Sequence, residues 1–393
     1  MTKSVYITSG VRTAVGTFAG SLSGQSPCDL GTAVAAEAIN RAGIKAQDVE
    51  QTVLGNVMHS HPEDMYISRV VAIRAGVPET SPALTLNRLC GSGLQAVVSG
   101  AEQVMLGNAD VVLAGGAECM SRAGHLITQA RHGQKMGDVK ALDMMIGGLT
   151  DPFGNGHMGM TAENIADRKG IGREAQDAFA LESHRRASKA IEEGRFKEQI
   201  LPMTIKRGRK EFVFDTDEHV RADITMEGLA SLRPAFRKDG SVTAGNASGI
   251  NDGAAAVTLM SEEKMTAKGA KPLARIVSYG LGGVAPEIMG MGPVPATRQA
   301  LQRAGLSVSD LDVIESNEAF AAQACAVSQD LDLSSDKVNP NGGAVALGHP
   351  IGGSGTIILV KLLHELQRIQ GRYGLATMCI GGGQGIAVIV ERT

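Results

Sequence analysis

The sequence predicts an α/β protein assembled from two related halves. Two observations carry that expectation. Strand-like apolar runs alternate with helical patterns along the whole chain, as they do where crossover helices cover a mixed or parallel sheet. Short segments also recur at one fixed spacing. Arg41-Ala-Gly43-Ile with Asp48-Val49 returns as Arg303-Ala-Gly305-Leu with Asp310-Leu311, and Gly91-Ser-Gly93 returns in the same register as Gly353-Ser-Gly355.

The first half opens with a strand over 5–9, a helix over 30–42, a strand over 53–57 and a helix over 66–76. A helix over 93–106 leads to a strand over 111–114, and 254–260 supplies the last strand of that half. The second half ends in the same order, with a helix over 356–369 and strands over 375–380 and 385–390. The expected division is an N-terminal α/β half of residues 1–120 with 244–270, an inserted segment of 121–243, and a C-terminal half of 271–393. The insert holds most of the Arg/Lys/Glu-rich stretches. Its basic run Ile205-Lys-Arg-Gly-Arg-Lys210 reads either as a solvated hairpin or as a contact for a phosphorylated ligand.

Composition narrows the function. The 393 residues carry 38 Lys+Arg against 41 Asp+Glu, so an overall basic surface for nucleic acid is excluded. Aromatic residues make up 3% with no Trp, which removes stacking platforms for single strands. The five cysteines are Cys28, Cys90, Cys119, Cys325 and Cys379, and none forms a Cys-x-x-Cys pair. An odd count without such spacing points to free thiols and the cytoplasm. The first residues lack a signal or transit pattern, and no apolar run is long enough for a membrane span. His59 and His61 have no further ligand residues nearby, so no metal site is expected. Glycine is the anomaly: 50 residues, about 13% against a usual 7% or so, with no collagen period.

Four positions could carry chemistry. Cys90 follows a strand-like run in Leu86-Asn-Arg-Leu-Cys90-Gly-Ser-Gly93 and precedes a helix, where unpaired N–H groups favour a thiolate. It reads as a nucleophile or as a small buried apolar residue. Gly91-Ser-Gly93-Leu-Gln-Ala96, with Glu118 downstream, also fits a dinucleotide fingerprint, but the polar run before it is a poor first Rossmann strand. His349 sits in Asn339-Pro-Asn-Gly-Gly-Ala-Val-Ala-Leu-Gly348-His349-Pro-Ile-Gly352-Gly-Ser-Gly355, a loop glycine-dense enough to aim backbone donors at a ligand. Cys379 ends an apolar run and meets Gly381-Gly-Gly383, whose N–H groups could serve an oxyanion. Asn317 follows an apolar run in Asp312–Asn317 and reads as a site amide or as a helix cap. All four lie at strand ends or glycine turns, where active sites of α/β sheets collect.

At Asn87-Arg-Leu-Cys90-Gly-Ser-Gly93, Asn317-Glu-Ala-Phe320, Gly348-His-Pro-Ile-Gly352 and Cys379-Ile-Gly-Gly-Gly383 the chain resembles the thiolase family, and within it the bacterial biosynthetic acetyl-CoA acetyltransferases. The resemblance runs end to end. It implies a five-layer αβαβα fold of two pseudo-repeated βαβαβαββ halves, with the insert as a loop domain that binds coenzyme A. It implies condensation of two acetyl-CoA to acetoacetyl-CoA, or the reverse thiolysis, by ping-pong acyl transfer. No tightly bound cofactor is implied, and a homotetramer of the dimer-of-dimers kind is.

By the same resemblance Cys90 is the nucleophile and His349 activates it. His349, with a water on Asn317, contacts the thioester oxygen. Cys379 removes the α-proton of the second acetyl-CoA, and the N–H groups of Cys90 and Gly381 form a second oxyanion hole. Coenzyme A would be held by Leu149, His157, Met158, Arg221, Ala244 and Ser248, with Phe236, Met289 and Phe320 as apolar pocket positions. The chain departs from the family pattern at His61-Pro-Glu-Asp-Met-Tyr-Ile-Ser-Arg69, Ser316, Gly353 and Gly124. Those departures leave longer 3-ketoacyl-CoA substrates as the alternative. A decarboxylating ketoacyl synthase would carry a second His where Cys379 stands, and a non-catalytic relative would lack Cys90 or His349.

Overall fold

The computed structural model describes residues 3–393, so the first two residues of the N-terminal half lie outside it. Strand β1 (Val5–Arg12) leads to helix α1 (Pro27–Arg41). This helix starts at Pro27 rather than at 30, because Ser26 and Asp29 cap it reciprocally and proline suits the first helical position. Next come β2 (Gln51–Gly55), α2 (Ile67–Arg74), β3 (Ala83–Leu86), α3 (Ser92–Met105) and β4 (Val111–Cys119). Beyond β4 lie helices α4 (Met158–Lys169) and α5 (Arg173–Glu192) and the hairpin β5 (Met203–Arg207) and β6 (Lys210–Phe214). Lys206 pairs with Glu211 across that hairpin in the open, which favours the solvated reading of the basic run.

Strand β7 (Asn251–Ser261) then returns to the sheet and is buried along its whole length. The order repeats with β8 (Ala274–Gly283), α6 (Pro293–Ala304), β9 (Val313–Ser316) and α7 (Ala321–Asp330). Helix α8 (Ile351–Ile369) and strands β10 (Tyr373–Ile380) and β11 (Gln384–Arg392) complete the chain. Helix α8 begins at Ile351 rather than at 356, so Gly352, Gly353 and Gly355 belong to its first turns and not to a loop.

The strands lie in the order β9-β10-β11-β8-β1-β7-β4-β2-β3. Read outward from the centre, β1-β7-β4-β2 and β8-β11-β10-β9 are the same arrangement twice. Both contain one parallel pair, β2–β4 and β9–β10, followed by antiparallel neighbours. The halves touch through a short β1–β8 pairing at Tyr6/Arg275 and Ile7/Ala274. The counterpart of β3 is reduced to a single parallel bridge between Ile314 and Val338.

Helices α3 and α8 form the middle layer. Val97, Ala101 and Val104 of α3 and Leu359, Leu362 and Leu363 of α8 share one apolar core with Val257 and Leu259 on one side and Val388 and Val390 on the other. Helices α1 and α2 cover the outer face of the first half, and α6 that of the second. The layer order is therefore αβαβα. The two Gly-Ser-Gly repeats meet where α3 and α8 start. Among the described residues no helix is long and apolar enough to cross a membrane.

Candidate active site

Strand β3 ends at Leu86, not at the cysteine, and residues 87–91 form a tight turn into α3. The Asn87 side chain accepts from the Leu89 N–H at 2.8 Å, and the Ser92 hydroxyl accepts from the Arg88 N–H at 2.9 Å and donates to the Leu89 carbonyl. Leu89 is thereby held at φ +47°, a left-handed conformation unusual for leucine. The turn leaves Cys90 half-buried at the mouth of a pocket of about 50 Å³. Burial pushes the Cys90 thiol up, while the backbone N–H groups of Gly381 and of Cys90 itself pull it down. The net direction is upward, so the helix terminus alone does not make this residue a thiolate.

His349 lines the same pocket and is buried. Its backbone N–H donates to Asn251 Oδ1 at 2.9 Å, while the Asn251 Nδ2 donates to the Gly16 carbonyl. Gly348 stands at φ +103°, and any side chain there would overlap the Asn251 amide. The ring Nδ1 lies 2.6 Å from Ser354 Oγ, which itself donates to the Pro350 carbonyl. A hydroxyl has one proton, so Ser354 accepts from Nδ1–H. That fixes the neutral tautomer with a lone pair on Nε2, which has no protein partner. Burial lowers the His349 pKa to about 4. The ring is a neutral base at physiological pH.

Cys379 is fully buried near the end of β10, and burial, followed by the proximity of Cys90, pushes its thiol up. It packs with Met158, Met289, Ala319 and Phe320. Asn317 directly follows β9; its N–H donates to the Thr377 carbonyl, and neither atom of its buried amide has a protein partner. It caps nothing, since α7 starts after Phe320.

Of the residues proposed from the sequence, Cys90, His349, Gly381, Leu149, Met158, Ser248, Met289 and Phe320 line one pocket. Cys379 reaches it through its packing on Met158, Met289 and Phe320. His157 and Phe236 do not line the pocket; their ring centroids stack at 4.7 Å, and Phe236 stands edge-on to the pocket residue Phe320 at 6.1 Å. Arg221 and Ala244 are exposed outside the pocket; the Arg221 N–H donates to His184 Nδ1. A larger cavity of about 330 Å³, lined by Ser183, Glu318, Cys325 and Asn339, contains none of the proposed residues.

One sequence expectation needs correction, and the rejected dinucleotide reading stays rejected. The N–H groups of the glycine-dense loop do not all face outward: Gly343 donates to Ser183 Oγ and Gly352 to Glu118. Glu118 is no ribose ligand of a dinucleotide fold, because its carboxylate is buried and taken up by four N–H donors. Sequence reasoning missed Asn251 and Ser354, and met Glu118 only as the acidic residue of the rejected fingerprint. Their signal is a polar residue at the end of an apolar strand or one helical turn from the histidine. Among the described residues no three His, Cys, Asp or Glu side chains are grouped to hold a metal.

Comparison with known proteins gives one answer. Residues 5–263 match the family model for the N-terminal thiolase domain, and residues 270–392 that for the C-terminal thiolase domain. The chain is 59% identical to the beta-ketothiolase BktB of Cupriavidus necator over 393 residues, covering 100% of both chains. A crystal structure of human mitochondrial 3-ketoacyl-CoA thiolase superposes with a TM-score of 0.98 at 45% identity, covering 100% of this chain and 99% of that one. The Bacillus anthracis acetyl-CoA acetyltransferase structure gives 0.98 at 49%, with the same coverage. With both family models matched in order and full-length relatives at this identity, the chain belongs to the thiolase family.

Proposed function

We propose that this acyltransferase condenses two acetyl-CoA molecules to acetoacetyl-CoA and CoA, and runs the reverse thiolysis, through an acyl group on Cys90. The observation that carries the reading is the pocket itself. A half-buried thiol, a neutral imidazole with a free Nε2 and the Gly381 backbone line it, and a second thiol packs against its wall.

His349 Nε2 takes the Cys90 proton, and the sulfur attacks the thioester carbon. The tetrahedral intermediate collapses, the Cys379 thiol protonates the departing CoA sulfur, and acyl-Cys90 remains. Burial holds Cys379 as the thiol that speeds this step, which a departing CoA thiolate completes more slowly without it. The resulting Cys379 thiolate removes the α-proton of the second acetyl-CoA. The enolate carbon attacks acyl-Cys90, whose oxyanion takes the N–H groups of Cys90 and Gly381. Cys90 leaves and recovers its proton from the His349 imidazolium, which closes the proton balance. His349 with a water on the unpartnered Asn317 amide serves the first oxyanion. The reverse direction uses the same groups.

Met158, Met289 and Phe320 would face the acyl and pantetheine portions, with Ser248, Leu149, His157 and Phe236 beside the pantetheine. Arg221 and Ala244, outside the pocket, would meet the far end of CoA. Segment 121–243 is read as the CoA-binding unit between halves 1–120 with 244–270 and 271–393. Seven exposed apolar side chains (Leu126, Ile127, Met136, Val139, Leu142, Met144 and Ile146) support assembly into a homotetramer. Five free cysteines support the cytoplasm.

Intact-mass measurement after mixing with acetyl-CoA tests the chemistry. Cys90→Ala should gain no acetyl group, and Cys379→Ala should acylate yet form no acetoacetyl-CoA. An acetylated Cys90→Ala variant would remove the nucleophile assignment. A thiolysis series of 3-ketoacyl-CoAs decides between the acetoacetyl-specific reading and the broader-chain alternative.

A further inference from the structure

Glu118 is the penultimate residue of β4 and is fully buried behind the pocket. Its Oε1 accepts from Asn56 Nδ2 at 3.0 Å and from the Met58 N–H at 3.1 Å. Its Oε2 accepts from the Val57 N–H and the Gly352 N–H, both at 3.0 Å. Those four donors come from two separate segments, the 56–58 turn and the first turn of α8. Met58 packs with Ile351 and Met120 in the small apolar cluster on which Cys90 rests. Gly352 lies in the first turn of α8, just beyond His349, and Ile351 lines the pocket beside it. No neutral side chain can replace this group: two oxygens with four lone pairs meet four donors, and an amide would turn an NH₂ toward two of them. The fit at Gly352 is close enough that a methyl group there would stand 2.6 Å from Glu118 Oε2.

We propose that Glu118 is a positioning residue for acyl transfer, locking the first turn of α8, and with it His349, to the 56–58 turn that supports Cys90. This inference rests on the reading of Cys90 as nucleophile and His349 as its base. The carboxylate does not line the pocket. It acts through the distance and angle between the thiol and Nε2, a relation on which proton transfer depends steeply.

The placement also explains an otherwise unfavourable choice of residue. Burial pushes the Glu118 carboxyl up, while the N–H groups of Met58, Val57 and Gly352 pull it back toward the ionised form that four donors require. Among the described residues no cation pairs with it, so the residue is a poor stabilising element by itself. Its use is the joining of two backbone segments that carry different parts of one reaction.

The test is a double-mutant cycle on the rate at which Cys90 is acetylated by acetyl-CoA, read by quenched-flow mass spectrometry. Glu118→Gln should slow acetylation about a hundredfold in the wild-type background, with the KM for acetyl-CoA changed little. In a His349→Gln background the same substitution should slow it no more than about twofold, because the partner it positions is already gone. Equal slowing in both backgrounds, or acetylation at the wild-type rate, overturns the inference. Should Glu118→Gln not fold, Glu118→Asp retains the acceptors with a shorter reach and goes through the same cycle with the same criteria. Acetylated Cys90→Ala in parallel would instead overturn the underlying reading, so the two failures are told apart.

Discussion

Gly93 and Thr356 face each other across the crossing of α3 and α8, so close that a methyl group on Gly93 would stand 2.8 Å from the Thr356 nitrogen. On the other side of the crossing, Gly355 meets the Leu94 backbone nitrogen more tightly still. One helix begins beside Cys90 and the other beside His349, so the separation of the two helix axes sets the separation of thiol and imidazole. The Gly-Ser-Gly tripeptide occurs twice because the two related halves meet at this crossing, each contributing its copy.

Gly355→Ala should therefore force the helices apart. The contact is with backbone, which cannot rotate away, so the cost falls in the overpacking range of about 1–3 kcal/mol. Activity should fall further than stability, because the strain lies between the nucleophile and its base. Urea unfolding and acetylation rates measured on one sample check this. An unchanged unfolding midpoint would mean that the helices are not in backbone contact.

Ser354→Ala should leave the fold in place but disorient His349. Among the described residues the hydroxyl is the only side-chain partner of Nδ1, and its loss frees the ring to take the other tautomer, with the proton on Nε2. A kcat decrease of order ten- to a hundredfold is expected, with KM for acetyl-CoA little changed. A matching rise in KM would show instead that Ser354 shapes the binding surface.

The architecture was legible in the sequence because periodicity and repetition are local properties. The recurrence of Arg-Ala-Gly and Gly-Ser-Gly announced two halves, and helices and strands fell in the expected order. Element ends were less legible: caps such as Ser26 with Asp29 extend α1 beyond its apolar stripe, and polar Asn87 stops β3 before Cys90. At the site, Cys90, His349 and Cys379 stood out because glycine turns mark them, and Asn317 because it follows an apolar run. Asn251, Ser354 and Glu118 did not, since each acts through one contact with a residue that only the fold brings near. The glycine excess points both to close approach of a ligand to backbone N–H groups and to close packing of the two halves, and the second is seen where Gly93, Gly355, Gly348 and Gly352 let α3, α8, Asn251 and Glu118 approach one another.

Acid should destabilise the protein in a way that His349 controls. Burial lowers its folded-state pKa to about 4, against 6.5 unperturbed. Its contribution to stability is therefore complete above pH 6.5 and is lost as the pH falls through 4, by roughly 3 kcal/mol. Comparing wild type with His349→Gln by urea unfolding at pH 7 and pH 4 isolates the histidine. Wild type should lose roughly 3 kcal/mol more than the variant; a constant gap would mean that the ring protonates as readily folded as unfolded.

Substrate length should answer to Met158. Its side chain closes the pocket from the α4 side: Met158 Cε would lie 3.0 Å from a methyl group placed on Gly381, one of the residues that face the Cys90 sulfur. The pocket is about 50 Å³, and each added CH₂ contributes about 0.8 kcal/mol only if it finds apolar surface without displacing a neighbour. Methionine is flexible and leaves a largely apolar recess when shortened, bounded by Met289 and Phe320. Met158→Ala should therefore raise kcat/KM for 3-ketoacyl-CoAs two carbons longer than acetoacetyl-CoA relative to acetoacetyl-CoA itself, by roughly tenfold. The acetoacetyl rate should fall, because the small acyl group is no longer pressed against the sulfur. A parallel loss for every chain length would show that Met158 supports α4 and leaves the acyl chain untouched.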